Sequence, residues 1–263
     1  MIPKCIHQIW LQGEKELPNR YIPFRQSIRD KHPDWEIKLW DDTKMIDFLK
    51  QNDHLIENYS LVQTYQNYKY LHQKVDFFRY VLLYIQGGVY IDMDCEALRC
   101  LDPILEEYNS YDMIICKLNL LPWESFIFAQ NSTLLNNGVI LAKPKCEPLF
   151  ELIKETLKDC HCHSFLRKFK ICCINFTTGP SKFTKVLLPY STNKIKVLSS
   201  EYFEPCVMKN CNITENTFLY HKQDNTWVSE PLQKVMRFYS KTKWVIFIIL
   251  FLLIVWLTYK FLY

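Results

Sequence analysis

The chain has 263 residues, 49% of them hydrophobic, and a formal net charge of +4 at neutral pH. This length suits one domain with an appendage, and the hydrophobic content is enough for a sizeable core. The modest charge comes without the stripe of basic and aromatic residues typical of nucleic-acid binding, so we expect no nucleic-acid partner. The five glycines form neither a phosphate-binding P-loop nor a dinucleotide-binding fingerprint.

Predicted strands and helices alternate along the chain. Strands are predicted at residues 6–10, 36–40, 89–94, 112–116 and 138–142. Helices are predicted at residues 21–31, 43–51, 75–85 and 147–160. Thr43 suits the N-cap of the second helix, and Gly87 suits the C-cap of the third. The alternation predicts an α/β fold with a mainly parallel central sheet, in which ligands bind beyond the carboxyl ends of the strands.

Two carboxylates, Asp92 and Asp94, follow a glycine pair and a short apolar strand. Residues two apart in a strand share a face, so the two side chains would repel each other unless a cation lay beside them. Oxygen ligands of this kind suit Mg²⁺ or Mn²⁺, which usually bind one or two carboxylates together with substrate phosphates. An isolated Asp-x-Asp, however, is more often a solvated acidic turn.

Asp76 and Arg79 are neighbours three residues apart on the helix that precedes this strand. One interpretation is a surface ion pair of little energetic value. The other is a carboxylate and a guanidinium directed into the same pocket as Asp92 and Asp94.

The segment 74–94 resembles the signature of glycosyltransferase family 32, the sugar-binding region containing a DXD motif. This family includes initiating α-1,6-mannosyltransferases and mannosyl-inositol-phosphoceramide synthase catalytic subunits. The matching residues are Asp76, Phe77, Phe78, Arg79, Tyr80, Leu83, Tyr84, Gly87, Gly88, Asp92 and Asp94. Further segments that resemble the family, in the same order, are 2–10, 35–42, 136–144, 178–180 and His221 with Trp227. The resemblance covers residues 1–230 and implies a GT-A-type nucleotide-sugar-binding fold.

The resemblance also implies a metal site that holds Mn²⁺ or Mg²⁺. Asp94 would ligate the metal directly, and Asp92 would contact it through water or bind the ribose of the nucleotide. His221 would complete the metal or diphosphate site. We expect Asp76, Asp92 and Asp94 to be the catalytic carboxylates.

The same resemblance assigns residues to the two substrates. The expected donor-binding residues are Trp10, Asp76, Arg79, Tyr80, Asp92 and Trp227. Trp10 would lie near the nucleotide base, and Trp227 would cover the pocket. Asn136 and Asn137 are expected on the acceptor side.

The expected activity is transfer of a sugar from a nucleotide-sugar donor to a hydroxyl, with retention of anomeric configuration, as the resemblance implies. Mannose from GDP-mannose is the first expectation, and the acceptor is a glycolipid such as an inositol phosphoceramide, or a glycan. An alternative is a catalytically inert, membrane-tethered binding protein of the same fold. A metal-dependent phosphodiesterase or nucleotidyltransferase is a weaker alternative, since we find no wider set of acidic or histidine ligands for two metals.

The C-terminus predicts a membrane anchor. Residues 244–259 carry no charge, and the apolar stretch to residue 263 approaches the length of a membrane-spanning helix. We therefore divide the chain into a catalytic domain at 1–230, a basic juxtamembrane linker at 231–243 and a transmembrane helix at 244–263. The expected location is a Golgi or endoplasmic reticulum membrane, and the resemblance allows a regulatory membrane subunit as a further partner.

The orientation in the membrane stays open. The chain begins directly on a predicted strand, and basic residues precede the span, which favours a tail-anchored, cytosolic domain. Four Asn-x-Ser/Thr sequons, at Asn58, Asn131, Asn175 and Asn212, would permit glycosylation in a lumenal orientation. Of the eleven cysteines, Cys206 and Cys211 would pair in an oxidising lumen, whereas reduced thiols are expected in the cytosol.

Overall fold

A computed structural model describes residues 1–119, 133–159, 169–207, 210–222 and 242. The chain divides into two units, Met1–Gln223 and Asp224–Tyr263. Within the described ranges, no helix has the length and apolar character needed to cross a membrane. The predicted span at 244–263, the linker apart from Thr242, and Trp227 lie outside the described residues, so the predictions made for them stay predictions.

Six strands form the central sheet. They are β1 (Cys5–Ile9), β2 (Glu36–Trp40), β3 (Gly88–Ile91), β5 (Met113–Cys116), β6 (Val139–Ala142) and β7 (Ile195–Leu198), in the order β2-β1-β3-β6-β5-β7. Strand β6 is antiparallel to both of its neighbours, and the other pairs are parallel. The predicted mainly parallel α/β sheet is therefore confirmed. Two small antiparallel pairs lie apart from it: β4 (Cys95–Ala97) with β10 (Leu219–His221), and β8 (Cys206–Val207) with β9 (Asn210–Cys211).

The α-helices among the described residues are α1 (Ile22–Lys31), α2 (Asp42–Gln51), α3 (Leu61–Asn67), α4 (Leu71–Gln86), α5 (Asp102–Glu107), α6 (Glu147–Lys158), α7 (Lys170–Thr177) and α8 (Pro180–Leu187). The predicted Thr43 cap of α2 is wrong. Asp41 is the N-cap, because its carboxylate accepts a hydrogen bond from the Lys44 backbone amide at 2.9 Å.

The predicted turn after α4 requires both of its glycines. Gly87 and Gly88 have φ angles of 66° and 98°, in the region that favours glycine. A Cβ on Gly87 would lie 2.6 Å from Pro144, and one on Gly88 would lie 2.6 Å from the carbonyl oxygen of Cys5. The pair therefore lets the chain leave α4 and enter β3 directly beside β1.

Alternation along the strands divides the core between the two faces of the sheet. Tyr90 and Ile140 belong to a cluster that includes the apolar side chains of α4, α6 and α8. Val89 and Leu141 belong to a second cluster on the other face. Helix α4 is thereby fixed against the sheet, and its polar residues Asp76 and Arg79 are brought to the end of β3.

Candidate active site

The DXD carboxylates lie on a turn and not on the strand that the sequence predicts. Strand β3 ends at Ile91, where the amide of Asp92 donates to the carbonyl of Gly138 at 2.9 Å. The amide of Cys95 then donates to the carbonyl of Asp92 at 3.2 Å and closes the turn before β4. Asp92 and Asp94 therefore follow the carboxyl end of a central strand, the position where α/β sheets bind ligands.

Asp76 and Arg79 form a buried pair beside this turn. Their exposed fractions are 6% and 5%, and Arg79 Nη2 lies 3.2 Å from Asp76 Oδ1. Arg79 Nη1 lies 3.4 Å from Asp92 Oδ1, and the guanidinium carbon is 4.2 Å from the centroid of the Tyr90 ring. The surface-ion-pair interpretation is wrong, because both side chains are held inside the protein and link α4 to the DXD turn.

Two neutral donors hold the Asp76 carboxylate. Asn137 Nδ2 donates to Oδ1, and Thr178 Oγ1 donates to Oδ2, each at 3.0 Å. Burial raises the pKa of Asp76 to about 6, although Arg79 and these hydrogen bonds favour the ionised form. Arg79 also donates to the backbone carbonyl of Asn137. Asn137 therefore contacts both Asp76 and Arg79.

His221 reaches the DXD turn through the pairing of β10 with β4, which sets it opposite Cys95. Its Nε2 lies 3.1 Å from Asp94 Oδ1 and 4.0 Å from Asp92 Oδ2. Its Nδ1 donates to the carboxylate of Glu204. Burial alone would lower the pKa of His221, but Cys95, Glu204 and Asp94 together raise it well above its ordinary value.

The residues at this point fit a hard divalent cation. Ligand atoms of Asp94, Cys95 and His221 lie within 4.8 Å of one another. Cys95 is a poor ligand for such an ion, because Mg²⁺ and Mn²⁺ prefer oxygen ligands to sulfur. Residue 138 must be small for this arrangement, because a Cβ there would lie 2.6 Å from Asp92 Oδ2 and 3.2 Å from His221 Cε1 and would displace one of them. The remaining candidate metal ligands are therefore Asp92, Asp94 and His221.

Two other predicted donor-binding residues, Tyr80 and Trp10, are among the described residues. Tyr80 is fully buried, and its hydroxyl donates to the carbonyl of Thr178 at 2.6 Å and accepts from Asn137 at 2.9 Å. Trp10 packs against a small cluster that contains Met93, the residue between the two aspartates. Its ring centroid is 5.3 Å from that of Tyr21, a member of the same cluster.

Asn136 and Asn137, expected on the acceptor side, are buried at 2% and 7% exposure. The side chain of Asn137 binds Asp76, and Asn136 Nδ2 donates to Glu204 Oε1 at 2.8 Å. Sequence reasoning missed Glu204 and Gly138. Glu204 follows no periodic pattern. Gly138 is one of only five glycines in the sequence and precedes an apolar strand, which could have indicated a close approach of neighbouring groups.

Comparison with known proteins agrees with this geometry. Residues 18–111 match the family described as "Glycosyltransferase sugar-binding region containing DXD motif". This confirms the resemblance and, with it, the predicted enzyme class.

Relatives extend the likeness. An uncharacterized glycosyltransferase of Acanthamoeba polyphaga mimivirus is 28% identical over 95% of this chain and 92% of its own length. "Inositol phosphoceramide mannosyltransferase 1" of Schizosaccharomyces pombe is 37% identical, but over only 40% of this chain and 32% of its own length. The match thus spans about a third of that fungal relative.

The fold also has a counterpart among solved structures. The catalytic domain of alpha-toxin from Clostridium novyi superposes with a TM-score of 0.50, covering 91% of this chain and 82% of that chain, at 10% sequence identity. At this identity the likeness concerns the fold alone. It identifies the sheet and its flanking helices as a GT-A-like glycosyltransferase fold.

Proposed function

We propose that this glycosyltransferase is a divalent-metal-dependent, retaining enzyme that transfers mannose from GDP-mannose to a hydroxyl of an inositol phosphoceramide-like glycolipid or a glycan. The observation that carries the proposal is the convergence of Asp92, Asp94 and His221 with the buried Asp76–Arg79 pair at the end of β3. The choice of mannose and of the lipid is supported by the name of the fungal relative, an inositol phosphoceramide mannosyltransferase.

The three metal-site residues have the chemistry that a departing diphosphate needs. A divalent cation held by Asp92, Asp94 and His221 would neutralise negative charge on the nucleoside diphosphate. Tyr90 donates to Asp92 Oδ1 at 2.6 Å and fixes that carboxylate, while Oδ2 faces the space beside Gly138.

The Asp76–Arg79 pair is suited to hydroxyl groups of the donor sugar. A carboxylate offers about four lone-pair sites. In Asp76, Asn137, Thr178 and Arg79 take three of them, which leaves one for a sugar hydroxyl. The Nε of Arg79 is buried and has no hydrogen-bond partner among the described residues. One acceptor position of Asp76 and one donor of Arg79 are therefore without a partner among the described residues.

We further propose that the C-terminal segment anchors the enzyme in a Golgi or endoplasmic reticulum membrane with the catalytic domain in the lumen. A disulfide joins Cys206 to Cys211 across the β8–β9 pair, which favours an oxidising compartment. Among the sequons, Asn58 and Asn212 are exposed, whereas Asn175 is buried. If the domain is lumenal, the protein should carry glycans that an endoglycosidase removes, and Asn58→Gln or Asn212→Gln should reduce its mass accordingly. A protein that carries no glycans and is labelled by reagents confined to the cytosol would refute the lumenal orientation.

Release of nucleoside diphosphate by the full chain, measured against a panel of GDP- and UDP-sugars, tests the activity. We expect release from GDP-mannose with Mn²⁺ and none after EDTA. Release from another donor would correct the sugar and keep the class. Donor binding without release, with and without glycolipid acceptor, would instead identify an inert binding protein of the same fold.

A further inference from the structure

His221 has a carboxylate at each ring nitrogen, and only one of them belongs to the DXD motif. Nε2 faces Asp94, while Nδ1 donates to Glu204. Glu204 has no exposed surface, and its backbone amide donates to the carbonyl of Ser200 at 2.7 Å. Burying such a carboxylate is costly unless it is paired. The contact with His221 is therefore expected to have a structural or functional role.

Asn136 fixes Glu204 from the other side. Its Nδ2 donates to Glu204 Oε1 at 2.8 Å, the same oxygen that accepts from His221. The side-chain Oδ1 of Asn136 accepts from the backbone amide of Gly138 at 2.6 Å. The side-chain amide of Asn136 thus both donates and accepts a hydrogen bond. Glu204 is held between the loop before β6 and the end of β10.

This arrangement determines which nitrogen His221 presents to the DXD turn. Because Nδ1 donates to Glu204, Nε2 is the atom that faces Asp94 and Asp92. A histidine that ligates a metal commonly donates its other N–H to a carboxylate, which fixes the ring and increases its basicity as a ligand.

We propose that Glu204, held by Asn136, is the positioning residue that directs His221 Nε2 to the divalent cation of the sugar-transfer site. Glu204 acts through His221 and does not touch the substrates. The inference rests on the proposed metal-dependent function and adds to it two residues, Glu204 and Asn136. It also gives Asn136 a role different from the predicted contact with the acceptor.

The test measures binding of Mn²⁺ to the full chain in the absence of the sugar donor. Binding is detected by calorimetry or by the electron paramagnetic resonance signal of free Mn²⁺. We expect Glu204→Leu to weaken binding about 10- to 100-fold. Glu204→Gln should retain part of the affinity, because its amide oxygen still accepts from Nδ1. Glu201→Gln is the matched control: Glu201 lies three residues earlier and accepts from Ser199 and Thr214, so its loss should leave Mn²⁺ affinity unchanged.

A thermodynamic cycle separates positioning from general damage to the fold. In the His221→Ala background, adding Glu204→Leu should cause no further loss of Mn²⁺ affinity. An equal loss in both backgrounds, or unchanged affinity in Glu204→Leu, would overturn the inference. If the wild type binds Mn²⁺ with this pattern but releases no nucleotide from any donor, the inference about Glu204 stands and the proposed transfer fails.

Discussion

Arg79 is the cation on which the buried carboxylate of Asp76 depends, and Arg79→Met removes its charge while keeping an apolar side chain of similar length. The two groups are 3.2 Å apart and almost fully buried. Removing one partner of a buried ion pair typically costs about 3–5 kcal/mol. We therefore expect the free energy of unfolding at pH 7 to fall by about that amount, and most of it to be recovered in the double variant Asp76→Asn/Arg79→Met.

The cost should depend on pH. In the wild type Asp76 ionises near pH 6, well above its ordinary value, because burial disfavours the charged form. Without Arg79 the carboxyl should stay protonated up to pH 7 in the folded state while it is ionised in the unfolded state. A folded state that binds the extra proton loses stability as pH rises, so the cost of Arg79→Met should be about 1.4 kcal/mol larger at pH 7 than at pH 5.

Chemical denaturation of the purified chain at both pH values measures these differences. Lys158→Met serves as the control, because Lys158 pairs with Glu155 at 2.9 Å on the exposed surface of α6. Its effect should be small and nearly independent of pH. The reasoning fails if Arg79→Met costs the same at pH 5 and pH 7, or if Asp76→Asn does not restore stability in the double variant.

Three further predictions concern the same centre. Asp94→Ala should abolish nucleotide release while circular dichroism and the unfolding midpoint stay near wild type, since it removes a ligand and not core packing. Gly138→Ala places a Cβ 2.6 Å from Asp92 Oδ2; calorimetry should show weaker Mn²⁺ binding, and the free energy of unfolding should fall by about 1–3 kcal/mol. Between pH 4 and pH 6 the wild type should lose about 2 kcal/mol of stability relative to Asp76→Asn, measured by denaturation across that range, since its folded-state pKa is about 6 and its unfolded-state pKa lies near 4.

Much of the fold and the main carboxylates were predictable because they follow from local rules. The helix that carries Asp76 and Arg79 has a regular apolar stripe, and Gly87 and Gly88 end it with backbone angles that other residues avoid. The carboxylates come directly after a buried strand, which is where such sheets bind ligands.

The rest depended on contacts between residues far apart in the sequence. The position of Asp92 at the end of β3 is fixed by a hydrogen bond from its amide to the carbonyl of Gly138, which no local sequence pattern predicts. Glu204 is buried between Asn136 and His221, 68 and 17 residues away, so its sequence neighbourhood gives no sign of a polar site. Asn136 was expected on the acceptor side, and nothing in its sequence neighbourhood indicated that it would be buried, where hydrogen bonds offset the cost of burying its amide.

The two adjacent asparagines explain how one loop organises both halves of the site. Asn137 binds Asp76, which pairs with Arg79 on the side proposed for the donor sugar. Asn136 binds Glu204, and through it His221, on the side proposed for the metal. Since the backbone between them is short, a shift of this loop must move the sugar-binding pair and the histidine together. A substitution at either asparagine should therefore weaken metal and donor binding jointly, whereas loss of Glu204 should weaken metal binding first.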